Sequence, residues 1–443
     1  MPETGFSSTS SIFQQEEVLR EEYHPDDLPE RTSEMKSLHM SLAPAARGVG
    51  ANNVFLHGKA GQGKTAAAKA KLSELQAHAE QESDHLNLTT CYVSCESHDL
   101  STSYKAASRI YQELTGNSRP TGYATDVVMD MMFDAMNDTG GTIVIVLDEI
   151  DTLGDDDRIL YSLSRARAQD YVGDHVYPSI IGISNDLQWR DNLSPKVKSS
   201  LYDDSVLFSP YDATQLQQIL RRRAAKAFQK TDLNSTNGIA NNAAQGENTV
   251  EIDNSGQEYL FRSDVLTDDV IPLIAALSAQ DTGDARQAIK YLRKAGELAD
   301  KNSDEEVSAT HAREAQALVE REAVVEAMRE MTTQAHLALA ALTALELSGD
   351  APVRAKPIYG VYKRIASKID VDKLGQRRFK DHLRELDMQG IADGEKVTAG
   401  SIGGPAWEYQ LQVDTEIAVE VLTDTVRFAD IDFYRLSADR PSS

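Results

Sequence analysis

Cysteine is almost absent: the 443 residues hold two, Cys91 and Cys95, spaced C-x-x-x-C. A structural zinc site takes four ligands, and no second Cys/His pair is placed to complete one. The two therefore read as buried thiols on or near a strand, kept reduced, with a regulatory disulfide as the lesser alternative. Long apolar runs are missing too. No stretch of about 18 apolar residues occurs, which leaves no candidate membrane span. The opening segment "MPETGFSSTSSIFQQEE" has neither a basic n-region nor an apolar h-region, so it does not read as a secretory signal. Residues 1–13 read as a disordered leader. No internal repeat is evident.

Positive charge is the other shortage. There are 45 Lys and Arg against 70 Asp and Glu, a formal net charge of −25. The acids are spread along the chain and not gathered in one tail. In roughly 1 M salt the Debye length falls to about 3 Å, so such charges barely repel at a distance. Dispersed acidity suits a halophile's solvated surface better than a single acidic docking tail. Nucleic acid is not excluded as a partner, because a local basic face is sufficient.

The rest is that of a soluble globular protein, with 41% hydrophobic and 26% charged residues and a length fit for two to four domains. Residues 14–50 read as helical, broken at "YHPDDLPERTSE". Then strands and helices alternate. "NNVFLHG", "NLTTCYVSCES", "TIVIVLDEID" and "PSIIGISND" read as strands, and the segments between them as helices. That alternation predicts a parallel α/β sheet. Residues 231–260, rich in Asn, Gly, Ser and Gln, read as an insertion loop or disordered segment. Helices follow from 264. Residues 334–425 read as a separate small domain with helical stretches and a β-like end, leaving 426–443 as a tail.

Between the first strand and the alanine-rich helix lies "GKAGQGKT". Gly58, Gly63, Lys64 and Thr65 match G-x-x-x-x-G-K-T in the strand-to-helix setting that a phosphate loop requires. Glycines let the backbone turn its N–H groups inward, and the helix N-terminus adds partial positive charge. Lys64 would meet the β/γ-phosphates of ATP or ADP, and the Thr65 hydroxyl would ligate Mg²⁺. "IVIVLDEID" adds the acids at a strand end: Asp148 for the metal and Glu149 as general base. Asn185 ends the next buried strand, where an amide can orient water, although such an Asn is often only a turn former. Arg286, in "TGDARQA", starts a helix and is placed to reach the γ-phosphate, although an arginine there is usually a solvated surface residue.

In this order, "GKAGQGKT", "VLDEID", "GISND", "SPYDATQLQQILRRRA" and "TGDARQAIKYLRKAGE" make the chain resemble the archaeal replication initiators. These are AAA+ ATPases related to the eukaryotic origin-recognition subunit and its helicase-loading cofactor. The resemblance covers roughly 14–425. It implies an α/β P-loop core over 14–210, an α-helical lid over 211–330 and a C-terminal winged-helix domain over 334–425. It also implies that Gly61, Gln62, Gly63, Lys64 and Thr65 wrap the phosphates, that Asn185 and Arg286 sense the nucleotide, that Tyr211 packs near the adenine and that Arg223 helps hold the nucleotide. Arg31 in "LPER" resembles an arginine that closes over it. The segment "LSPKVKSSL" departs from the family: the position of the arginine finger that acts on a neighbour's ATP is Lys196, which lacks the planar fork.

The small domain has a helix-turn-helix cadence. "GQRRFKDHLRELDMQG" would be its recognition helix, bringing Arg377, Arg378, Lys380 and Arg384, with Lys363, Arg364 and Lys368 before it. An ordinary amphipathic helix that buries Phe379, Leu383 and Leu386 gives the same pattern. The resemblance favours contact with double-stranded DNA at a replication origin. A wing, "KVTAGSIGGPAWEYQL", follows without arginines. Residues 105–119, carrying Lys105 and Arg119, form a second basic stretch, which the resemblance places as an extra helix pressed against DNA. The resemblance further implies recruitment of the replicative helicase, MCM, and homo- or hetero-oligomers with paralogues on DNA. Two other functions fit the same residues: a paralogous DNA-binding regulator of plasmid maintenance or transcription, with structural nucleotide, and a clamp-loader-like ATPase without sequence-specific DNA binding.

Overall fold

Five short β-prone runs form one parallel sheet: β1 (Val54–His57), β2 (Leu88–Ser94), β3 (Gly141–Asp148), β4 (Val176–Ser184) and β5 (Asp204–Leu207), in the order β2-β3-β4-β1-β5. The computed structural model describes residues 10–25, 28–81, 86–98, 100–154, 156–201, 204–235, 249–252, 258–397, 406–429 and 431–433. The chain divides into two compact units, Met1–Ala315 and Gln316–Ser443. In the first, β3 is buried from Thr142 to Asp148, as a strand covered on both faces must be. Alternate residues point to opposite faces. Phe55, Ile143 and Ile145 join one apolar cluster, and Leu56, Val144 and Val146 join the other. The helices on these faces are α1 (Thr32–Leu42), α2 (Lys64–Gln81), α3 (Ser103–Thr115), α4 (Thr125–Thr139), α5 (Arg158–Ser164), α6 (Trp189–Asn192) and α7 (Pro195–Ser200). The expected doubly wound sheet is present, with β5 a strand the sequence reading did not name. Register pairs Ser94 with Asp148 and His57 with Ser184, so the C-terminal ends of four strands share one edge. Ligands of open α/β sheets bind at that edge.

The lid side begins at α8 (Ala213–Ala227), opened by a reciprocal capping box between Asp212 and Gln215. The insertion corrects the sequence reading. Its described parts are β6 (Thr231–Ser235), β7 (Thr249–Ile252) and β8 (Glu258–Ser263), an antiparallel sheet in the order β6-β8-β7. Cross-strand pairing and the aromatic pair Tyr259 and Phe261 override the Asn- and Ser-rich composition. Residues 236–248 and 253–257 lie outside the described residues. Then come α9 (Val270–Asp281), α10 (Ala285–Asn302) and α11 (Ala309–Arg329), the last of which crosses from one unit to the other.

The N-terminal reading needs two corrections. Residues 1–9 lie outside the described residues, but the chain is packed from residue 10 onward: Ile12 is fully buried and Phe13 meets Phe228 at 5.1 Å between ring centroids. Apolar side chains placed against the lid hold residues 10–13 of the supposed leader in order. The stretch 14–50 is also less helical than read. It contains 3₁₀ turns at Glu16–Leu19, Pro29–Arg31 and Ala45–Arg47 besides α1, with prolines at 25, 29 and 44 limiting longer helices.

The second unit consists of α12 (Thr333–Leu347), β9 (Val353–Arg354), α13 (Ala355–Lys368), α14 (Gln376–Met388), β10 (Ala392–Val397), β11 (Ala406–Leu411) and α15 (Thr415–Asp424), with strand order β10-β11-β9. The buried run 335–344 makes α12 its central helix. Its core includes Phe428, Ile431 and Phe433, so the packed unit continues past residue 425 into the expected tail. Residues 398–405, the expected tip of the wing, lie outside the described residues. No helix among the described residues is long and apolar enough to cross a membrane.

Candidate functional site

The glycine loop joins β1 to α2. Gly61 and Gly63 have φ of +70° and +87°, a region that favours glycine. Space requires it as well: a Cβ on Gly61 would fall 1.6 Å from Asp284 Oδ1, and one on Gly63 would fall 2.7 Å from the Tyr211 hydroxyl oxygen. Asp284 caps α10 by accepting from the Arg286 and Gln287 amides, and the Gly61 carbonyl accepts from the Ala285 amide at 3.2 Å. The lid helix is thus seated on the loop. Lys64 is buried, and its Nζ donates to the carbonyls of Gly58 and Lys59 at 2.7 Å each. Burial pulls its pKa down to about 8, with Asp148 partly opposing the shift.

At the end of β3 the two acids have different surroundings. Asp148 Oδ2 accepts from Thr65 Oγ1 at 2.8 Å and from the Tyr92 hydroxyl, while its Oδ1 accepts the Glu149 amide at 3.0 Å. Glu149 has φ of +56°, and its carboxylate accepts from Ser94 Oγ at 2.9 Å. Burial raises the Glu149 pKa above the usual carboxylate range; the Ser94 hydrogen bond opposes this, and the Asp148 charge adds to it. This donor set fits a Mg·nucleotide. Thr65 and Asp148 offer hard oxygens at one point, and Mg²⁺ needs few protein ligands when phosphates and water supply the rest. The cluster is not an all-protein cage, since no group of three or more His, Cys, Asp or Glu suited to a metal occurs among the described residues.

A cavity of about 870 Å³ opens at the loop, with Gly61, Gly63 and Thr65 on its wall. Tyr211, Arg223 and Arg286 also line it, so the structure brings these predicted residues together. Arg286 is exposed and close enough to add to the downward shift of Lys64. Arg223 donates to the Val18 carbonyl at 3.0 Å and lies 4.4 Å over the ring of Tyr23. Two expectations change in detail. Arg31 is 2% exposed and donates to the Gln62 and Ser209 carbonyls at 3.1 and 2.6 Å. Its guanidinium also lies 3.7 Å over Tyr211 and pairs with Glu34. Its donors hold the loop from behind, and it covers one face of Tyr211 that was expected to pack near an adenine. Gln62 is fully buried beside it.

Asn185 follows β4, is exposed, and donates its backbone N–H to Asp151 Oδ1 at 3.4 Å. Lys196 is not in this cavity; it lines another, of about 380 Å³, with Tyr161 and Asp157. Sequence reasoning missed Tyr92 and Ser94, the hydroxyls that hold the acids. The alternation in "TTCYVS" was the available signal, because it sets both on one face of β2. It also missed Tyr23, His24 and Tyr259 on the cavity wall, hidden in segments read as a break and a loop. His24 Nε2 accepts from Lys69 Nζ at 2.8 Å, and burial first, then Lys69, Arg223 and Arg286, lowers its pKa. Cys91 and Cys95 are the expected buried thiols, both pushed up to about 12 by burial.

The second unit carries its cations outside. On α14, Arg377, Arg378, Lys380 and Arg384 are exposed, while Phe379, Leu383 and Leu386 are fully buried. Arg384 pairs with Asp381 at 3.2 Å. Lys363, on α13, lies 5.0 Å over the ring of Tyr359. In the stretch 105–119, Arg109 pairs with Glu113 on α3, and Arg119, beyond the helix end, donates to Gln112 at 3.0 Å.

Three family models match the chain: an AAA domain over 47–176, a Cdc6 AAA+ ATPase-type lid domain over 254–317, and a CDC6 C-terminal winged helix domain over 326–421. ORC1-type DNA replication protein 1 of Haloarcula marismortui is 36% identical over 430 residues, covering 96% of each chain. The chain belongs to the archaeal ORC1/Cdc6 replication-initiator family. An ORC1-type DNA replication protein of Thermococcus onnurineus is 36% identical over 88% of this chain and 86% of that one. Among solved structures, the Aeropyrum pernix ORC1 protein in complex with DNA is similar with a TM-score of 0.76 and 32% identity, covering 95% of this chain and 99% of that one. This ORC1/Cdc6 chain therefore has a role in replication initiation, an AAA+ nucleotide-binding core, a lid and a winged helix. Its haloarchaeal relatives agree with its acid excess.

Proposed function

We propose that this ORC1/Cdc6 protein is an ATP-dependent initiator that binds double-stranded origin DNA and helps bring the replicative helicase, MCM, to it. The observation that carries the reading is the Lys64–Thr65–Asp148 arrangement under a lid helix seated on Gly61, on a chain that also has an exposed cationic α14. The 32% identical Aeropyrum pernix relative, described with DNA, supports the DNA part.

Mg·ATP, when bound, supplies a hydrolysable anhydride and a charge that distinguishes triphosphate from diphosphate. Lys64 and the amides of residues 61–65 hold phosphate oxygens, and Thr65 and Asp148 hold the metal. Glu149, once free of Ser94, takes the proton of an attacking water, and its raised pKa suits that exchange. Asn185 orients that water, and Arg286 senses the terminal phosphate from α10, whose N-terminus moves with the lid. Arg223 holds the nucleotide from α8. Lys196, as a point charge, makes a weak trans finger, so hydrolysis is slow and acts as a reset. Arg377, Arg378, Lys380, Arg384 and Lys363 contact phosphates or base edges, alone or in oligomers with paralogues on DNA.

Chromatin pull-down with sequencing, run on wild type beside Lys64→Ala, tests this. Wild type should mark origins, and the variant should lose nucleotide-dependent occupancy. Binding at promoters alone would favour the regulator. The absence of a complex with any sequence in gel shifts at high salt would favour a clamp-loader-like ATPase.

A further inference from the structure

Asp148 is held by the phosphate-loop threonine and by a tyrosine that lies outside that motif. Its Oδ2 takes two hydroxyl protons, one from Thr65 at 2.8 Å and one from Tyr92. Tyr92 sits on β2, two residues before the Ser94 that is registered with Asp148, and therefore on the same sheet face as Ser94. Its ring is half-buried, with Lys69 Nζ 4.9 Å from the centroid.

We infer that Tyr92 is a positioning residue for the magnesium ion: its hydroxyl fixes the Asp148 carboxylate in the orientation that faces Thr65. The inference rests on the nucleotide reading above. A carboxylate on a free side chain rotates; one tied by a second partner presents its oxygens in one direction, and partners of this kind set metal affinity. The Thr65 hydroxyl has two lone pairs besides its proton, so it can face a cation and still donate to Asp148. The Tyr92 phenol, which is not a metal ligand, gives Oδ2 a second anchor that does not depend on the cation, and the Glu149 amide holds Oδ1. A tyrosine present only for packing would not need its hydroxyl to end on this carboxylate.

The test uses the full chain and Tyr92→Phe, which keeps the ring and the Lys69 contact and removes only the hydroxyl. ATP binding is followed by calorimetry across a Mg²⁺ titration and again in EDTA. The Mg²⁺ concentration for half-maximal effect should rise by roughly 10- to 100-fold, the range for lost outer-shell partners, with metal-free ATP affinity unchanged. An unchanged magnesium midpoint would overturn the inference. Equal losses with and without metal would do so too, since that is the mark of a packing role. In an Asp148→Asn background the Tyr92→Phe change should add nothing to the magnesium midpoint; a full additional shift would also overturn it. Wild type that binds no ATP under either condition would instead sink the nucleotide site itself.

Discussion

The groups proposed above to work in the two units differ in how far the fold buries them. In the first, Lys64, Asp148, Arg31 and Gln62 are all at most 5% exposed, and each is tied to carbonyls, hydroxyls or a ring. In the second, the cations of α14 stand in solvent above a floor of Phe379, Leu383 and Leu386. The difference follows from the ligands each can serve. A compact triphosphate with a metal demands preorganised groups, and burial strengthens each of them at a desolvation cost that neighbours must offset. A long polyanion is met by surface charges that release counterions and need little support from the fold. On the proposed roles, the first unit couples function to stability through these four residues, and the second separates them.

The sharpest way to break that comparison is to attack the floor of α14. Phe379 is fully buried against Tyr362 and Tyr359, with centroids 4.8 and 5.2 Å away. Phe379→Ala should cost about 3–5 kcal/mol. Fluorescence of Trp407 in a Trp189→Phe background, followed through urea, reads this unit. A loss below about 1 kcal/mol would mean that the helix is not seated as described. Next is Arg31→Ala, which leaves the Gln62 and Ser209 carbonyls unpaired and should cost about 3 kcal/mol, read by Trp189 in a Trp407→Phe background. Arg31→Lys should recover little, because a single ammonium cannot make the same fork. Equal stability of Arg31→Ala and wild type would remove the claim that function and fold are linked in this unit.

The converse test is Arg377→Ala with Arg378→Ala. Stability should stay within about 0.5 kcal/mol of wild type. The slope of log affinity for DNA against log salt should become shallower by about 2, close to 0.9 per lost phosphate contact. An unchanged slope would show that α14 is only a solvated amphipathic helix.

The smallest effect concerns pH. Lys64 sits at about 8 in the free chain, lowered by burial. A bound polyanion favours the ammonium, so binding above that pH takes up a proton. Between pH 7 and 9 ATP affinity should therefore fall, by about tenfold, as the free lysine loses its charge. Calorimetry in two buffers of different ionisation enthalpy should show proton uptake at pH 9 and almost none at pH 6.8. Uptake that does not change with pH would contradict the lowered value.

Much of this was legible in the chain. Four of the five core strands showed themselves as apolar runs, and the spacing from Gly58 to Thr65 together with Asp148 after a buried strand fixed where the loop and the acid would meet. What escaped was set by tertiary contact. Tyr92 and Ser94 look like any alternating strand residues until β2 is laid beside β3. The sheet at β6, β7 and β8 comes from pairing that Asn and Ser composition hides. Ile12 and Phe13 are ordered by a lid surface that lies 215 residues from Phe13 in sequence, at Phe228. Arg31 was found by its motif, but its direction, toward the loop carbonyls and Tyr211, depends on packing that no local pattern encodes.

The most direct test of the nucleotide claim is calorimetry of ATP into wild type and Lys64→Ala, each with Mg²⁺ and with EDTA. The account requires one saturable site in wild type, tighter with Mg²⁺, and no measurable heat of binding in the variant while its unfolding curve still shows a folded protein. Wild-type affinity in folded Lys64→Ala would contradict it.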